Sequence, residues 1–203
     1  MLRWLAAAWA VAVCTIGTGG VSAQASSQRV SLGFNGRDAD SLSIEPVLSE
    51  SGRFLAYQSF ASNLVQNDTN GCSDVFLFDR NRGSTIRVSV SSGGAEGNYY
   101  SGEPAISKDG RFVAFVSEAS TLVPGDTNGV SDVFVHDTRT RRTQRVSVST
   151  AGFEGNRVSR RPAISSDGRF VAFASEATNL VRDDRNGVQD VFIRDCREGT
   201  TTR

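Results

Sequence analysis

Histidine is almost missing from this chain, with one copy in 203 residues. That removes most catalytic triads and most histidine-built zinc sites at once. Net charge is missing as well: 22 Lys+Arg stand against 22 Asp+Glu. Nucleic acid and anionic membrane surfaces both demand a clustered excess of basic residues, so neither is an expected partner. Hydrophobic residues make up 38%, too few for a multi-spanning membrane protein and enough for a core. After residue 23 there is no Gly-x-Ser-x-Gly, no phosphate loop and no Cys-x-x-Cys. After residue 28 no stretch carries a helical hydrophobic period.

What is present begins with an address. Arg3, the apolar run Trp4–Ile16 and the small residues of Val21-Ser22-Ala23 form the three regions of a secretory signal peptide, residues 1–23, cut after Ala23. The apolar run is shorter than the roughly 20 residues a membrane helix needs. Val13 is too bulky to precede a lipid-modified Cys14. The expected location is therefore periplasmic or extracellular, with no membrane insertion after cleavage. Residues 24–203 then keep 21 basic and 22 acidic residues, a net charge of −1 (one Arg and no acid lie in 1–23). Cys72 and Cys196 remain in an oxidising compartment, but the repeat described next puts them at opposite ends of equivalent strands two units apart. That exceeds the roughly 7 Å Cα limit for a disulfide, and both are expected free.

The rest of the chain is one unit copied three times. Ser51-Gly52-Arg53-Phe54-Leu55-Ala56-Tyr57 returns as Asp109-Gly110-Arg111-Phe112-Val113-Ala114-Phe115 and as Asp167-Gly168-Arg169-Phe170-Val171-Ala172-Phe173, with a constant spacing of 58. Pro46, Pro104 and Pro162 keep that spacing, as do Asp74-Val75-Phe76, Asp132-Val133-Phe134 and Asp190-Val191-Phe192. Arg29-Val30-Ser31, Arg87-Val88-Ser89 and Arg145-Val146-Ser147 share it, and Arg203 falls one period further. A fixed period of this size marks a repeat architecture.

Each period contains four strand-like segments, in the middle copy Pro104–Ser107, Arg111–Ser117, Asp132–Asp137 and Thr143–Ser149. Asp109-Gly110 reads as a hairpin turn between the first two. Phe112-Val113-Ala114-Phe115-Val116 is apolar at both parities, so both faces of that strand should be buried. Stacked four-stranded sheets with buried inner strands are propeller blades. A β-solenoid is the rival, but its coils are much shorter. The expected fold is all-β: three β-propeller blades at about 44–90, 102–148 and 160–203, either half of a six-bladed ring or a fragment of a longer propeller.

The unit Pro-Ala-Ile-Ser-x-Asp-Gly-Arg-Phe-Val-Ala-Phe followed by Asp-Val-Phe-Val-x-Asp resembles the WD-like repeat of the TolB-like β-propeller family. The resemblance covers residues 44–203, with Ser51 in the first copy where the family prefers Asp. It implies an exported propeller of six or seven blades that binds other proteins or carries a partner domain. This chain departs in having a longer repeat and only three copies of it.

The added length sits in loops, where binding usually resides. One group is Ala61–Ser73, Ala119–Ser131 and Ala177–Gln189; the other contains Gly94-Ala95-Glu96-Gly97-Asn98 and Gly152-Phe153-Glu154-Gly155-Asn156, with Arg37-Asp38-Ala39-Asp40 as a looser version. The first group carries Asp-x-Asn-Gly-x-x-Asp: Asp68, Asn70 and Asp74; Asp126, Asn128 and Asp132; Asp184, Asn186 and Asp190. Two readings stand. Asn-Gly turns and Asp side chains satisfy loop N–H groups structurally, and an Asx-rich loop can also converge oxygens on calcium, which takes six to eight of them. An EF-hand is excluded, because its glycine belongs one ligand later.

His136 occupies the position of Phe78 and Arg194 in the sibling copies, so it reads as a surface or strand-edge residue. Tyr99 and Tyr100 correspond to Arg157 and Val158 in the third copy and read as a loop tip; Arg139, Arg141 and Arg142 read as a solvated hairpin. Two function classes follow. One is an exported, non-enzymatic protein-interaction or scaffold module, with calcium as its one candidate cofactor. The other is the propeller portion of a longer exported hydrolase of the propeller–peptidase type, whose catalytic domain is absent here. The repeat phase adds an expectation about assembly. Residues 28–32 read as an orphan fourth strand, and Arg203 as the start of the last blade's own fourth strand, so a homodimer exchanging 28–32 would close a six-bladed ring.

Export is directly measurable. N-terminal sequencing of the exported protein should begin at Gln24; soluble protein retaining Met1 would contradict the signal-peptide reading.

Overall fold

The computed structural model of the protein describes residues 11–12 and 27–203. The signal-peptide reading of residues 1–23 lies outside the described residues, apart from β1 (Val11–Ala12), which pairs antiparallel with β2 (Ser27–Gln28). Among the described residues every strand beyond that pair belongs to one of three four-stranded antiparallel sheets. None of them forms a helix long and apolar enough to cross a membrane.

The sheets are the three repeats. The first contains β3 (Ser43–Leu48), β4 (Phe54–Ser59), β5 (Asp74–Asp79) and β6 (Ser84–Arg87). The second contains β7 (Ser101–Ile106), β8 (Phe112–Ser117), β9 (Asp132–Asp137) and β10 (Arg142–Arg145). The third contains β11 (Ser159–Ile164), β12 (Phe170–Ser175), β13 (Asp190–Asp195) and β14 (Thr200–Thr202). Within each, the strands lie side by side in chain order, and β3, β7 and β11 are the inner strands that meet from blade to blade. This is the all-β, blade-by-blade architecture that the repeat predicts.

Local chemistry explains each hairpin. In the second blade, Ser107 N–H donates to Phe112 O at 2.9 Å and Gly110 N–H to Ser107 O at 3.0 Å, closing the Asp-Gly turn. Asp109 accepts from Ser107 Oγ and from Arg111 N–H at 2.8 and 3.0 Å. Gly110 has φ +76°, a conformation that costs an L side chain strain. Arg111 then spans the sheet and donates twice to Asp137, at 3.0 and 2.8 Å, with its guanidinium 4.5 Å above the Phe112 ring. Arg53–Asp79 and Arg169–Asp195 repeat this clamp. The paired guanidinium holds the Asp137 carboxyl well below the usual carboxylate range.

Blades stack through both faces of their central strands. One face of the first blade (Ala56, Val75, Leu77) packs on Val113, Phe115 and Phe134 of the second. Ala114, Val116, Val133 and Val135 of the second pack on Val171, Phe173 and Phe192 of the third. The aromatic pairs Tyr57–Phe76, Phe115–Phe134 and Phe173–Phe192 each stack at 5.8 Å between centroids. Hydrogen bonds fasten the seam: Ser101 N–H and Ser159 N–H donate to the carbonyls of Ser73 and Ser131 in the preceding blade.

Three expectations need correction. The first strand of the middle blade starts at Ser101 rather than at Pro104. A bulge between Gly102 and Ala105, with Glu103 at φ +50°, carries the strand past a proline that reads in sequence as a strand start. The fourth strand ends at Arg145 instead of continuing to Ser149. Beyond it the Ser147 hydroxyl, rather than a backbone carbonyl, takes the Val133 N–H, so the ladder stops. The orphan-strand phase therefore falls. Arg87 and Arg145 close their outer strands, and Arg203 lies just beyond the end of β14, so the third blade already has its own fourth strand. Residues 28–32 are no blade strand: Leu32 makes one isolated bridge to Asp38, as Val90 does to Glu96.

The blade seam predicts a graded glycine response. A Cβ on Gly110 would stand 2.2 Å from the Phe54 ring of the preceding blade, whereas one on Gly129, at φ +67°, meets nothing within 4 Å. Gly110→Ala should lose about 2–4 kcal/mol from left-handed strain plus overpacking, and Gly129→Ala about 1 kcal/mol from strain alone. Urea midpoints of the two variants check the order.

Candidate functional site

The three Asp-x-Asn-Gly-x-x-Asp loops precede the third strand of each blade, and each folds back onto the end of the outer strand. Asp74 and Asp132 open β5 and β9, and both side chains are fully buried. Asn70 turns its Oδ1 toward Cys72 N–H (2.8 Å) and its Nδ2 toward Asp74 Oδ2 (3.0 Å) and Gly97 O (2.9 Å). Asn128 does the same with Val130 N–H, Asp132 and Gly155 O at 3.1, 2.7 and 2.9 Å. The asparagine thus serves as an Asx turn and as a donor to its own aspartate.

What the carboxylates surround is an arginine. Arg87 Nη1 lies 3.2 Å from Asp68, 3.1 Å from Asp74 and 2.7 Å from Glu96. Arg145 Nη1 lies 3.1 Å from Asp126, 3.1 Å from Asp132 and 2.8 Å from Glu154. The other guanidinium nitrogen donates to a loop carbonyl, Asn67 O or Gly125 O. Ser89 and Ser147 complete the arrangement, each giving its hydroxyl proton to the buried aspartate at 2.5 Å and accepting the N–H of Val75 or Val133. Thr69 and Thr127 donate to Glu96 and Glu154 through both N–H and hydroxyl. In the third copy Arg203 binds Asp184 at 2.7 Å and Asp190 at 3.2 Å, and Asn186 donates to Asp190 at 2.8 Å.

All nine residues picked from sequence therefore gather in three clusters at corresponding places in the blades, two around a buried arginine and the third around the more exposed Arg203. Sequence reasoning missed the central arginines, the glutamates and the serines. The signal was there, because Arg-Val-Ser and Gly-x-Glu-Gly-Asn recur with the same period. Chemically, each complete cluster holds three carboxylates against one cation. Oxygens of Asp68, Asp74 and Glu96 lie within 4.8 Å of one another, a spacing that could also hold a metal ion, and the guanidinium is bound by those same oxygens. Burial, and then the neighbouring Asp74 charge, push the Asp68 carboxyl up to about 6 against the pull of Arg87. Asp126 shifts upward too, chiefly through burial. The Nε atoms of Arg87 and Arg145 are buried without a partner.

Two other features were judged from sequence. His136 is buried, not a surface residue. Thr143 Oγ1 gives its proton to Val90 O of the preceding blade at 2.5 Å, so it accepts from His136 Nδ1 at 2.8 Å, and the histidine braces a blade seam. Burial lowers its pKa. Tyr99 and Tyr100 are exposed at a loop tip, edge to face at 4.9 Å. Cys72 and Cys196 are free thiols, as the repeat phase requires. A cleft of about 160 Å³ lies beside the inner strands, lined by Glu45, Gln58, Tyr100, Glu103, Glu118 and Arg160 among others. Glu45 accepts the Glu103 N–H at 2.9 Å, and Glu103 accepts the Arg161 N–H at 2.7 Å.

No family model matches the chain, and no curated protein matches it. Solved structures do. The chain is similar to TolB from Acinetobacter baumannii at 20% identity and a TM-score of 0.53, over 89% of this chain and 34% of that one. It is similar to the β-propeller domain of the Trilobed protease from Pyrococcus furiosus at 15% identity and a TM-score of 0.48, over 80% of this chain and 41% of that one. A structure from an analysis of two prolyl endopeptidases matches at 14% identity and a TM-score of 0.50, over 90% of this chain and 24% of that one. The fold is that of a TolB-like β-propeller. The chain spans about a third of the length of the TolB chain it matches.

The raised Asp68 carboxyl gives a pH signature. Between its unfolded value near 4 and its folded value of about 6, the folded state holds a proton that the unfolded state lacks. Its contribution to stability therefore grows as pH falls through about 6, the opposite of an ordinary salt-bridged carboxylate. Asp195, held down to about 2, loses its contribution only well below that window. Denaturant melts of Asp68→Asn should show a flatter stability profile between neutral pH and about pH 5 than the parent.

Proposed function

We propose that the chain is a run of exported β-propeller that acts as a non-catalytic protein-interaction or scaffold module, and that the loop clusters are its internal braces. The observation that carries this reading is the repeated arginine. The carboxylates that could ligate calcium or act as acid and base are bound, in each copy, to a guanidinium from the same blade. Breaking such a buried cluster by removing one partner leaves charge uncompensated, at a cost of about 3–5 kcal/mol. Rigid blades fix the loops that carry Tyr99, Tyr100 and Phe153 in the open, which suits a surface for protein contact.

Calcium is the competing role for the same loops, and it requires Arg87 and Arg145 to leave carboxylates that they now neutralise. Binding to the native state would raise stability as RT ln(1 + [L]/Kd). The brace reading expects a melting temperature indifferent to millimolar calcium and to a chelator. A calcium-dependent rise that disappears in the Asp126→Asn, Asp132→Asn double variant would replace the brace with a metal site.

A second functional reading has its own support: the fold likeness to the prolyl endopeptidase structure covers 90% of this chain and 24% of that one. Under it the blades are the propeller portion of a longer exported hydrolase. Reading frame downstream of Arg203 separates the two, since an in-frame nucleophile elbow belongs only to the hydrolase.

A further inference from the structure

Carboxylates gather in a second place, and there their charge is poorly answered. In the loop clusters a buried guanidinium stands 2.7–3.2 Å from its three acids. In the cleft beside the inner strands, Glu45, Glu103 and Glu118 face a single exposed guanidinium, that of Arg160. Its Nη1 lies 3.8 Å from Glu103 and its Nη2 4.0 Å from Glu118, both beyond hydrogen-bond length, and Nη2 donates instead to Ser131 Oγ at 3.3 Å. Each glutamate uses one oxygen on the cleft wall. Glu45 accepts the Glu103 N–H at 2.9 Å, Glu103 the Arg161 N–H at 2.7 Å, and Glu118 the Ser131 hydroxyl at 3.2 Å. The second oxygen of each accepts no hydrogen bond from the described residues.

Gly102 keeps this space open. The sibling copies place Ile44 and Arg160 at its repeat position. A Cβ on Gly102 would lie 2.3 Å from Gln58 Oε1, so the bare backbone lets the Gln58 amide lie against the inner strand. There Gln58 Nε2 donates to Ser73 Oγ at 2.9 Å, and Ser73 Oγ donates to the Ser101 carbonyl at 3.0 Å. The floor is therefore polar and satisfied, and the unanswered charge stands at the mouth. A volume of about 160 Å³ takes one side chain, whereas a drug-sized ligand needs roughly 300–1,000 Å³. The rim is apolar. Tyr100 lines the cleft with Tyr99 packed edge to face on it. Phe60, two residues beyond Gln58, is exposed next to Leu42, whose carbonyl takes the Phe60 N–H at 3.0 Å.

We propose that this cleft receives an arginine side chain of a partner protein, with apolar neighbours of that arginine resting on Leu42, Phe60, Tyr99 and Tyr100. The proposal rests on the interaction-module reading and gives it a partner chemistry. A guanidinium donates through a planar fork, which suits the free glutamate oxygens, and its face stacks on a tyrosine ring. Arg160, drawn toward the same acids without reaching them, shows that the position attracts such a group. The walls come from all three blades, Glu45 and Gln58 from the first, Tyr100 and Glu103 from the second and Arg160 from the third.

Selection of random phage-displayed peptides on the exported protein reads the partner chemistry directly. Selected peptides should carry an arginine beside an aliphatic or aromatic residue. For one such peptide made synthetically, Glu103→Gln with Glu118→Gln should weaken binding at least about tenfold, and so should citrulline in place of the arginine. Together the two changes should lose little more than either alone, because both delete the same contact. Glutamine keeps an acceptor for the Arg161 N–H and for the Ser131 hydroxyl, so the urea midpoint should stay in place. Peptides without arginine, or binding indifferent to the glutamine variant, overturn the cleft and leave the interaction module standing. If no peptide is selected at all, both readings fall.

Discussion

A sheet that is apolar on both faces has no stable existence alone, and this constraint organises the molecule. β8 and β9 of the middle blade bury nearly every side chain, one set against the first blade and the other against the third. Repeat proteins of this kind draw stability from nearest-neighbour interfaces more than from any single unit. The phenylalanine-on-glycine contacts, the Ser101 and Ser159 seam bonds and the buried His136–Thr143 pair are all consequences of holding two such faces in register.

The arginine clusters solve a different problem. An outer strand ends after Arg145, and the chain must leave the sheet while burying its backbone. The Ser147 hydroxyl takes the Val133 N–H and donates to Asp132, and Arg145 ion-pairs with Asp132, Asp126 and Glu154 at once. Burial first, and then the neighbouring acids that one arginine does not fully offset, shifts the Asp68 and Asp126 carboxyls upward. The Arg111–Asp137 clamp across each sheet is the opposite case, one acid with one base in two-pronged geometry, and its carboxyl shifts downward.

Likeness to TolB and to peptidase propellers reaches the fold and stops there, because a propeller hosts many functions on one scaffold. What distinguishes this chain lies in the loops that lengthen its repeat. There the acidic residues are ion-paired to arginines of the same blade, the observation on which the proposed brace rests.

Everything that repeats locally was legible in the sequence: the 58-residue period, the double-sided apolar strand Phe112–Val116, the Asp109-Gly110 turn and the nine Asx residues of the long loops. Strand alternation and turn chemistry are properties of neighbouring residues, so a single chain displays them. Other features became visible only in three dimensions. The bulge that carries β7 past Pro104 depends on pairing with β8. The end of the outer strand at Arg145 depends on a serine hydroxyl taking the place of a backbone carbonyl. The identity of the cation among the acids depends on two distant loops folding onto one strand end. Sequence shows which groups carry charge and which are apolar; only the packed blade decides which of them meet, because those contacts join residues that the chain itself keeps far apart.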